Sequence, residues 1–314
     1  MRCAWLTVLV LLLAGIHPCL RALLAKRFPV APGAVLVTGA SSGIGLHAAV
    51  ALSAEVVVFA GVRSEKDAAR LKQSYPQLRP VVLDVTSTEK VEAARKEVSA
   101  ALGAEELKLV GLVNNAGISR HLIFEYENLE EVMKLYDVNV FGVYRVTQAF
   151  LPLLRASGAG RVVNVGSISP TTPAMGYTSY AGSKNALESI NDVMRLELAR
   201  YNISVSLLKP GMVHSALHEK ISGENAAWRR AKDLEGFREH WGEWAEGFEE
   251  RRRNREAHAD GAEVTTEAIR HALRSEHPET RYVVANVHGI PCQALSWLMW
   301  LLPDRGKDLL LAGN

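Results

Sequence analysis

The chain has 314 residues, of which 48% are apolar and 22% charged, and 36 basic against 34 acidic side chains leave a formal charge of +2. That much apolar content supports a packed core and excludes disorder, collagen-like repeats and coiled coil as the main state. A net charge this small gives no whole-molecule field for nucleic acid or an acidic partner, so no nucleic-acid partner is expected.

The first element is hydrophobic. Cys3–Leu20 contains no Asp, Glu, Lys or Arg, and Arg21, Lys26 and Arg27 follow it. Three readings are open: a membrane anchor, which needs roughly 17–25 residues; a cleaved signal or transit peptide, whose apolar part is roughly 7–15 residues; and a buried helix. Positive charge is heavier after the run than before it, which by the positive-inside rule would keep the rest of the chain in the cytosol. The expected organisation is residues 1–27 as anchor or signal, associated with a membrane, and residues 28–314 as one domain. Cys3, Cys19 and Cys292 form no CxxC pair. Neither a cysteine zinc site nor a disulfide framework is therefore expected, and no metal is predicted. A reducing compartment is the simpler setting.

From residue 33 onward, strands and helices are predicted to alternate. Short runs rich in β-branched residues occur at Val35–Thr38, Val56–Ala60, Val81–Leu83, Leu109–Val113, Val162–Val165 and Val205–Leu208. Helix-length segments such as Lys90–Leu102 and Glu130–Leu154 lie between them. Continuous apolar strands are buried on both faces, which implies a parallel sheet, and right-handed crossovers then give an α/β doubly wound fold. Residues 216–262 break the rhythm as a charged helical insert on the substrate side. Within it Trp241, Trp244 and Phe248 form one helical stripe, and Arg251–Arg255 is a basic run. Ile290–Leu302, in the apolar C-terminal segment 290–314, is too short to span a bilayer. Trp297 and Trp300 share a helical face there, as a core-closing helix, an interfacial helix or a wall of an apolar substrate site.

The loop after the first strand reads Thr38-Gly39-Ala40-Ser41-Ser42-Gly43-Ile44-Gly45. Gly39 permits a tight turn, Gly43 permits close approach of backbone to a phosphate, and Gly45 lets the helix pack on the sheet. The helix N-terminus that follows offers N–H groups and a positive dipole end to a pyrophosphate. At the end of the second strand, Ala60-Gly61-Val62-Arg63-Ser64 has no acid to bind a ribose 2′-hydroxyl, and Arg63 suits a 2′-phosphate. NADP is therefore the predicted cofactor in preference to NAD. Further on, Tyr180 and Lys184 share a helical face. An ammonium beside a phenol would lower the phenol pKa and ready it as general acid or base, and Ser167 could donate to a reacting oxygen.

TGASSGIG, Asn114-Asn115-Ala116-Gly117, Asn139 in DVNVFG, Ser167, Tyr180-xxx-Lys184 and Pro210-Gly211 occur in an order that resembles the short-chain dehydrogenase/reductase family over residues 33–215. The resemblance implies Ser167, Tyr180 and Lys184 as catalytic groups, with Lys184 also reaching the cofactor ribose and Asn139 holding a water in a proton relay. It implies cofactor contacts from Gly39, Ser41, Ser42, Gly43, Ile44, Gly45, Arg63, Asp84, Val85, Asn115, Ala116, Gly117, Tyr180, Lys184, Pro210, Gly211, Val213 and Ser215. It further implies hydride exchange between NADP(H) and a carbonyl or alcohol on a small hydrophobic, lipid-like substrate such as a steroid, retinoid or long-chain lipid. The alternatives are a 3-oxoacyl thioester reductase and a catalytically silent NADP-binding sensor or scaffold. By the same analogy a homodimer or homotetramer is expected. The endoplasmic reticulum membrane, facing the cytosol, is the expected location, or a secretory or organellar one after cleavage.

Overall fold

The computed structural model describes residues 23–214 and 235–311. The N-terminal apolar run, Ser215 and residues 216–234 of the insert thus lie outside the described residues. Strands β1 (Ala34–Thr38), β2 (Val57–Val62), β3 (Arg79–Val82), β4 (Leu109–Asn114), β5 (Arg161–Val165), β6 (Ser204–Pro210) and β7 (Arg281–Val284) form one seven-stranded sheet ordered β3-β2-β1-β4-β5-β6-β7. Every pairing in it is parallel. The six strands expected from sequence are present with shifted ends, and β7 is additional. A two-stranded antiparallel hairpin, β8 (Asn286–Val287) and β9 (Ile290–Pro291), follows it.

Helices cover both faces. The sequence runs α1 (Gly43–Leu52), α2 (Glu65–Ser74), α3 (Thr88–Ala104), α4 (Leu129–Tyr136), α5 (Gly142–Ser157), α6 (Thr178–Leu198), α7 (Phe237–Ala257), α8 (Glu263–Arg274), α9 (Cys292–Leu301) and α10 (Asp304–Leu311). Strand β1 shows how a continuous apolar run serves a two-sided core. Val35 and Val37 point into one cluster with Ala48, Leu52, Leu71 and Ile269, while Ala34 and Leu36 join Val98, Phe150 and Leu154 in the other. No helix among the described residues is long and apolar enough to cross a membrane.

The expected helix over Glu130–Leu154 is corrected to three pieces. Helix α4 ends at Tyr136, a π-helical turn spans Asp137–Phe141, and α5 starts at Gly142. A π turn fits one extra residue into the helical path, and such turns occur often at functional sites. Here it carries Asn139. The charged insert is helical over α7, with Phe237, Trp244, Ala245 and Phe248 buried against Leu122 and Ile123 and with Trp241 packed partly on the same cluster. Helix α9 buries Cys292, Leu295 and Met299, so Trp297 and Trp300 fall on its outer side, where their rings meet edge-on at 6.1 Å.

Sheet order reverses between β1 and β4. The register pairs Thr38 with Gly61 and Val37 with Val113, so these strands end level at one edge. The connections leaving β1 and β4 diverge there, which makes the crevice where ligands bind in doubly wound sheets.

Candidate active site

The floor of the crevice is a lock between two loops. The Asn115 amide donates to the carbonyls of Thr38 (2.9 Å) and Gly39 (3.2 Å). Thr38 Oγ1 in return accepts from the backbone N–H groups of Asn115 and Ala116, each at 3.0 Å. This closeness demands glycine. Gly39 has φ +65°, and a β-carbon there would sit 2.7 Å from Ala116 Cα; one at Gly45 would sit 2.3 Å from Asn115 Nδ2. The Asn114 amide turns the other way, donating to Thr147 (3.0 Å) and Asn164 (2.8 Å), and Asn164 donates on to Asn191 (3.0 Å). That buried ladder pins β4 to β5, α5 and α6.

The loop fits a dinucleotide. Ser42 occupies the N-cap of α1 in extended conformation but makes no side-chain cap bond, and the first turn holds no acidic residue. The two usual ways of satisfying a helix N-terminus are thus unused, in a glycine loop whose dipole end favours an anion. Arg63 is exposed at the end of β2, and Arg70 on α2 donates to the Ser41 carbonyl at 2.6 Å. Asp84 forms a turn, accepting from Thr86 N–H (3.1 Å) and Thr86 Oγ1 (2.7 Å). Burial opposes its charge, yet the Thr86 bonds and the charges of Lys90 and Arg63 outweigh it and hold its pKa below the ordinary value. Asp84, Val85 and Arg63 therefore lie together at one end of the crevice.

At the other end α6 presents Tyr180 and Lys184 to Ser167, which follows β5. Tyr180 hydrogen-bonds Ser167, and Ser167 Oγ also accepts from Ser169 N–H at 3.1 Å. Lys184 is buried, and its Nζ donates to Val165 O at 2.8 Å and sits 5.8 Å from the Tyr180 ring centroid. A β-carbon on Gly117 would lie 3.4 Å from Asn139 Oδ1 and 3.6 Å from Lys184 Nζ, so these three residues converge. The Asn139 amide is engaged by protein: it accepts from Ile118 N–H (2.8 Å) and donates to Ile118 O (2.9 Å) and Ser183 Oγ (3.0 Å). It clamps the loop after β4 onto the helix that carries Tyr180.

One electrostatic expectation is corrected. Proximity of Lys184 was expected to lower the Tyr180 pKa, but burial pushes the phenol up to about 12, against the opposing pull of the Ser167 bond. Burial likewise pushes Lys184 down to about 8. Desolvation disfavours both charged forms. The ammonium, spent on the Val165 carbonyl, does not compensate. At neutral pH this leaves a neutral phenol beside a charged amine.

Pro210 ends β6, and Gly211 and Val213 follow it in a segment stapled to distant chain. Gly211 N–H donates to Val284 O, Met212 N–H to Asn286 O, and Asn286 Nδ2 to Asp260 at 2.7 Å. Sequence reasoning missed the aromatic wall beside Tyr180. The His121 ring stacks on Tyr177 at 3.9 Å, Tyr177 meets Tyr180 edge-on at 6.4 Å, and Phe248 meets His121 at 5.9 Å. A signal existed for Tyr177 alone, which precedes Tyr180 by one helical turn; His121 is brought in by the loop.

Known proteins are similar to this chain in sequence and in fold. A family model described as short chain dehydrogenase matches residues 33–226. The mitochondrial D-beta-hydroxybutyrate dehydrogenase of Bos taurus is 33% identical over 270 residues, covering 81% of this chain and 77% of that one. The 17-beta-hydroxysteroid dehydrogenase type 6 of Bos taurus is 33% identical over 264 residues, covering 79% of each chain. A short chain dehydrogenase from Burkholderia cenocepacia, solved in complex with NADP, superimposes with TM-score 0.66 at 21% identity over 89% of this chain and 97% of that one, a likeness of fold. With more than half of the sequence matched to the family, and the glycine loop and the Ser167–Tyr180 pair at one sheet edge, the chain belongs to the short-chain dehydrogenases, oxidoreductases of alcohol and carbonyl groups.

Proposed function

We propose that the protein interconverts a carbonyl and an alcohol on a lipid-like substrate using NADP(H), with Tyr180 as general acid and base. The observation that carries this is the Ser167–Tyr180–Lys184 group at the sheet edge, with Ser167 and Lys184 buried and Tyr180 half-buried, beside a loop suited to a dinucleotide. The dinucleotide, when bound, supplies or accepts the hydride. Gly39–Gly45 would hold its pyrophosphate, Arg63 its 2′-phosphate, Asp84 and Val85 its adenine side, and Val213 and Ser215 its nicotinamide side. Tyr180, neutral at pH 7, carries the proton that a carbonyl oxygen needs as it becomes an alcohol. Ser167 Oγ orients that oxygen by a second hydrogen bond. Lys184, with its pKa brought near neutrality, restores the proton to the tyrosine side, and a water beside Asn139 completes the path to solvent.

The relatives' names pair a hydroxy acid with a steroid. The wall of His121, Tyr177, Trp244 and Phe248 supports the larger apolar class. Residues 28–314 are proposed as the catalytic unit and 1–27 as its membrane attachment. Val193 and Leu196, 55% and 68% exposed on α6, support a homodimer or homotetramer.

The test is a screen of the full-length protein in detergent, following NADPH oxidation with steroid ketones, retinal, long-chain ketones and acetoacetyl thioesters. Turnover of an apolar ketone or aldehyde, lost in Tyr180→Phe, is the expected result. A Tyr180→Phe enzyme that keeps its rate would refute the assigned acid, and preference for the thioester would refute the substrate class.

A further inference from the structure

The adenosine end and the catalytic end of the crevice are joined by one side chain that neither end explains. Arg145 lies on the first turn of α5, its side chain 27% exposed. Its Nη1 donates to Val85 O at 3.2 Å, in the loop after β3 beside Asp84. Its Nη2 donates to Asp137 Oδ1 at 2.6 Å, and Nη1 lies 3.5 Å from Asp137 O. Asp137 opens the π turn that carries Asn139, and Asn139 grips Ile118 and Ser183. Ser183 Oγ in turn donates to the backbone carbonyl of Tyr180 at 2.8 Å. The packing agrees, since a β-carbon on Gly142 would lie 2.8 Å from Val85 Cγ2, which brings the start of α5 directly under that loop.

We propose that Arg145 is a positioning residue: its guanidinium fork fixes the adenosine-binding loop and the Asn139 turn against each other, and so sets the spacing between the two halves of the site. A fork suits this task because two planar donor edges can serve a carbonyl and a carboxylate at once in one rigid geometry. The inference rests on the cofactor reading above. Arg145 touches neither substrate nor cofactor in this role. It acts through Val85 on one side and through Asp137 and Asn139 on the other.

The experiment uses the full chain with Arg145→Met and Asp137→Asn. Binding of adenosine 2′,5′-bisphosphate and of reduced nicotinamide mononucleotide is measured separately by calorimetry, beside kcat with NADPH and the thermal midpoint. Arg145→Met should weaken the bisphosphate about tenfold, leave the mononucleotide within about twofold, and lower kcat, as expected for losing a charge-assisted bond. Asp137→Asn keeps the bond to Val85 and loosens only the turn, so it should lower kcat while the bisphosphate binds as in wild type. If Arg145→Met does not fold, Arg145→Lys carries the same test, because one ammonium cannot reproduce the fork. Equal weakening of both cofactor halves with a lowered midpoint would mean general loosening and would overturn the proposal. So would unchanged binding and kcat in both variants. Wild-type protein that binds neither NADPH nor the bisphosphate would overturn the cofactor reading, and the role of Arg145 with it.

Discussion

Tyr180 and Lys184 set the pH behaviour of the site. The Lys184 pKa falls from an ordinary 10.5 to about 8 on burial, so between those values the unfolded chain binds more protons at this position than the folded one. Its burial therefore costs stability below pH 8, and the cost fades as pH rises from 8 to 10.5. For Tyr180 the shift from 10.0 to about 12 has the opposite sign, and the stability held by its neutral phenol is lost as pH climbs through that window. For carbonyl reduction, kcat/KM is expected to hold up to about pH 8 and then fall as Lys184 loses its proton. In Lys184→Arg, slower overall, that limb should vanish, because a guanidinium stays charged. A pH–rate profile of both proteins decides it. Arg63 makes the second prediction at this scale. Arg63→Ser should weaken NADPH binding about tenfold and leave NADH nearly unchanged, since it removes the charge-assisted contact proposed for the 2′-phosphate. Fluorescence titration of the two cofactors measures the difference.

Among the elements, the glycine loop and α6 were legible because their pattern is written at short range. A strand, a turn that only glycine can make, and two polar side chains one helical turn apart are all local patterns. The π turn was not legible. Its Asn139 meets Ile118 and Ser183, which are distant in sequence, and nothing in DVNVF announces those contacts. Strand β7 was missed because RYVV is short and its residues are only partly buried, so it lacks the apolar run that marked the central strands. Helix α7 was half legible. The Trp244 and Phe248 stripe was readable, but its target, the loop with Leu122 and Ile123, lies far back in the chain. Trp244→Ala should cost about 3 kcal/mol if the cluster does not collapse, by loss of a large buried side chain. It should also raise KM for a bulky ketone more than KM for NADPH, and a thermal melt with steady-state kinetics reads both effects.

At the scale of the whole molecule, the outer face of α6 carries a prediction about assembly. Val193 and Leu196 are apolar and solvent-facing, while the same helix holds Tyr180 and Lys184 on its inner side. Val193→Glu with Leu196→Glu should shift the sedimentation coefficient to that of a monomer, with NADPH binding retained. Unchanged sedimentation would place the subunit contact elsewhere. Arg161 shows the opposite kind of surprise. It begins β5, where a basic residue reads as a solvated strand end, yet it is 1% exposed. Its Nη2 donates to the carbonyls of Phe28, Pro29 and Ser275, and its guanidinium lies 5.3 Å from the Phe28 ring centroid. Burial lowers its pKa to about 10.

The amino-acid sequence alone determined the sheet class and the family, and it singled out Ser167, Tyr180 and Lys184 as the candidate trio. Each of these rests on local spacing: β-branched runs for buried parallel strands, glycines where backbone must approach closely, and Tyr180 four residues before Lys184. The tertiary structure alone decided what those residues experience. Desolvation by neighbours from many elements turned the expected drop of the Tyr180 pKa into a rise. Asn139 became a clamp because the crossover from β4 brought Ile118 to it. Arg145 came to lie between Val85 and Asp137, Arg161 received three carbonyls from two remote segments, and His121 was stacked on Tyr177. Contacts of this kind join residues distant in sequence, and they follow from sheet order and helix packing rather than from any local pattern.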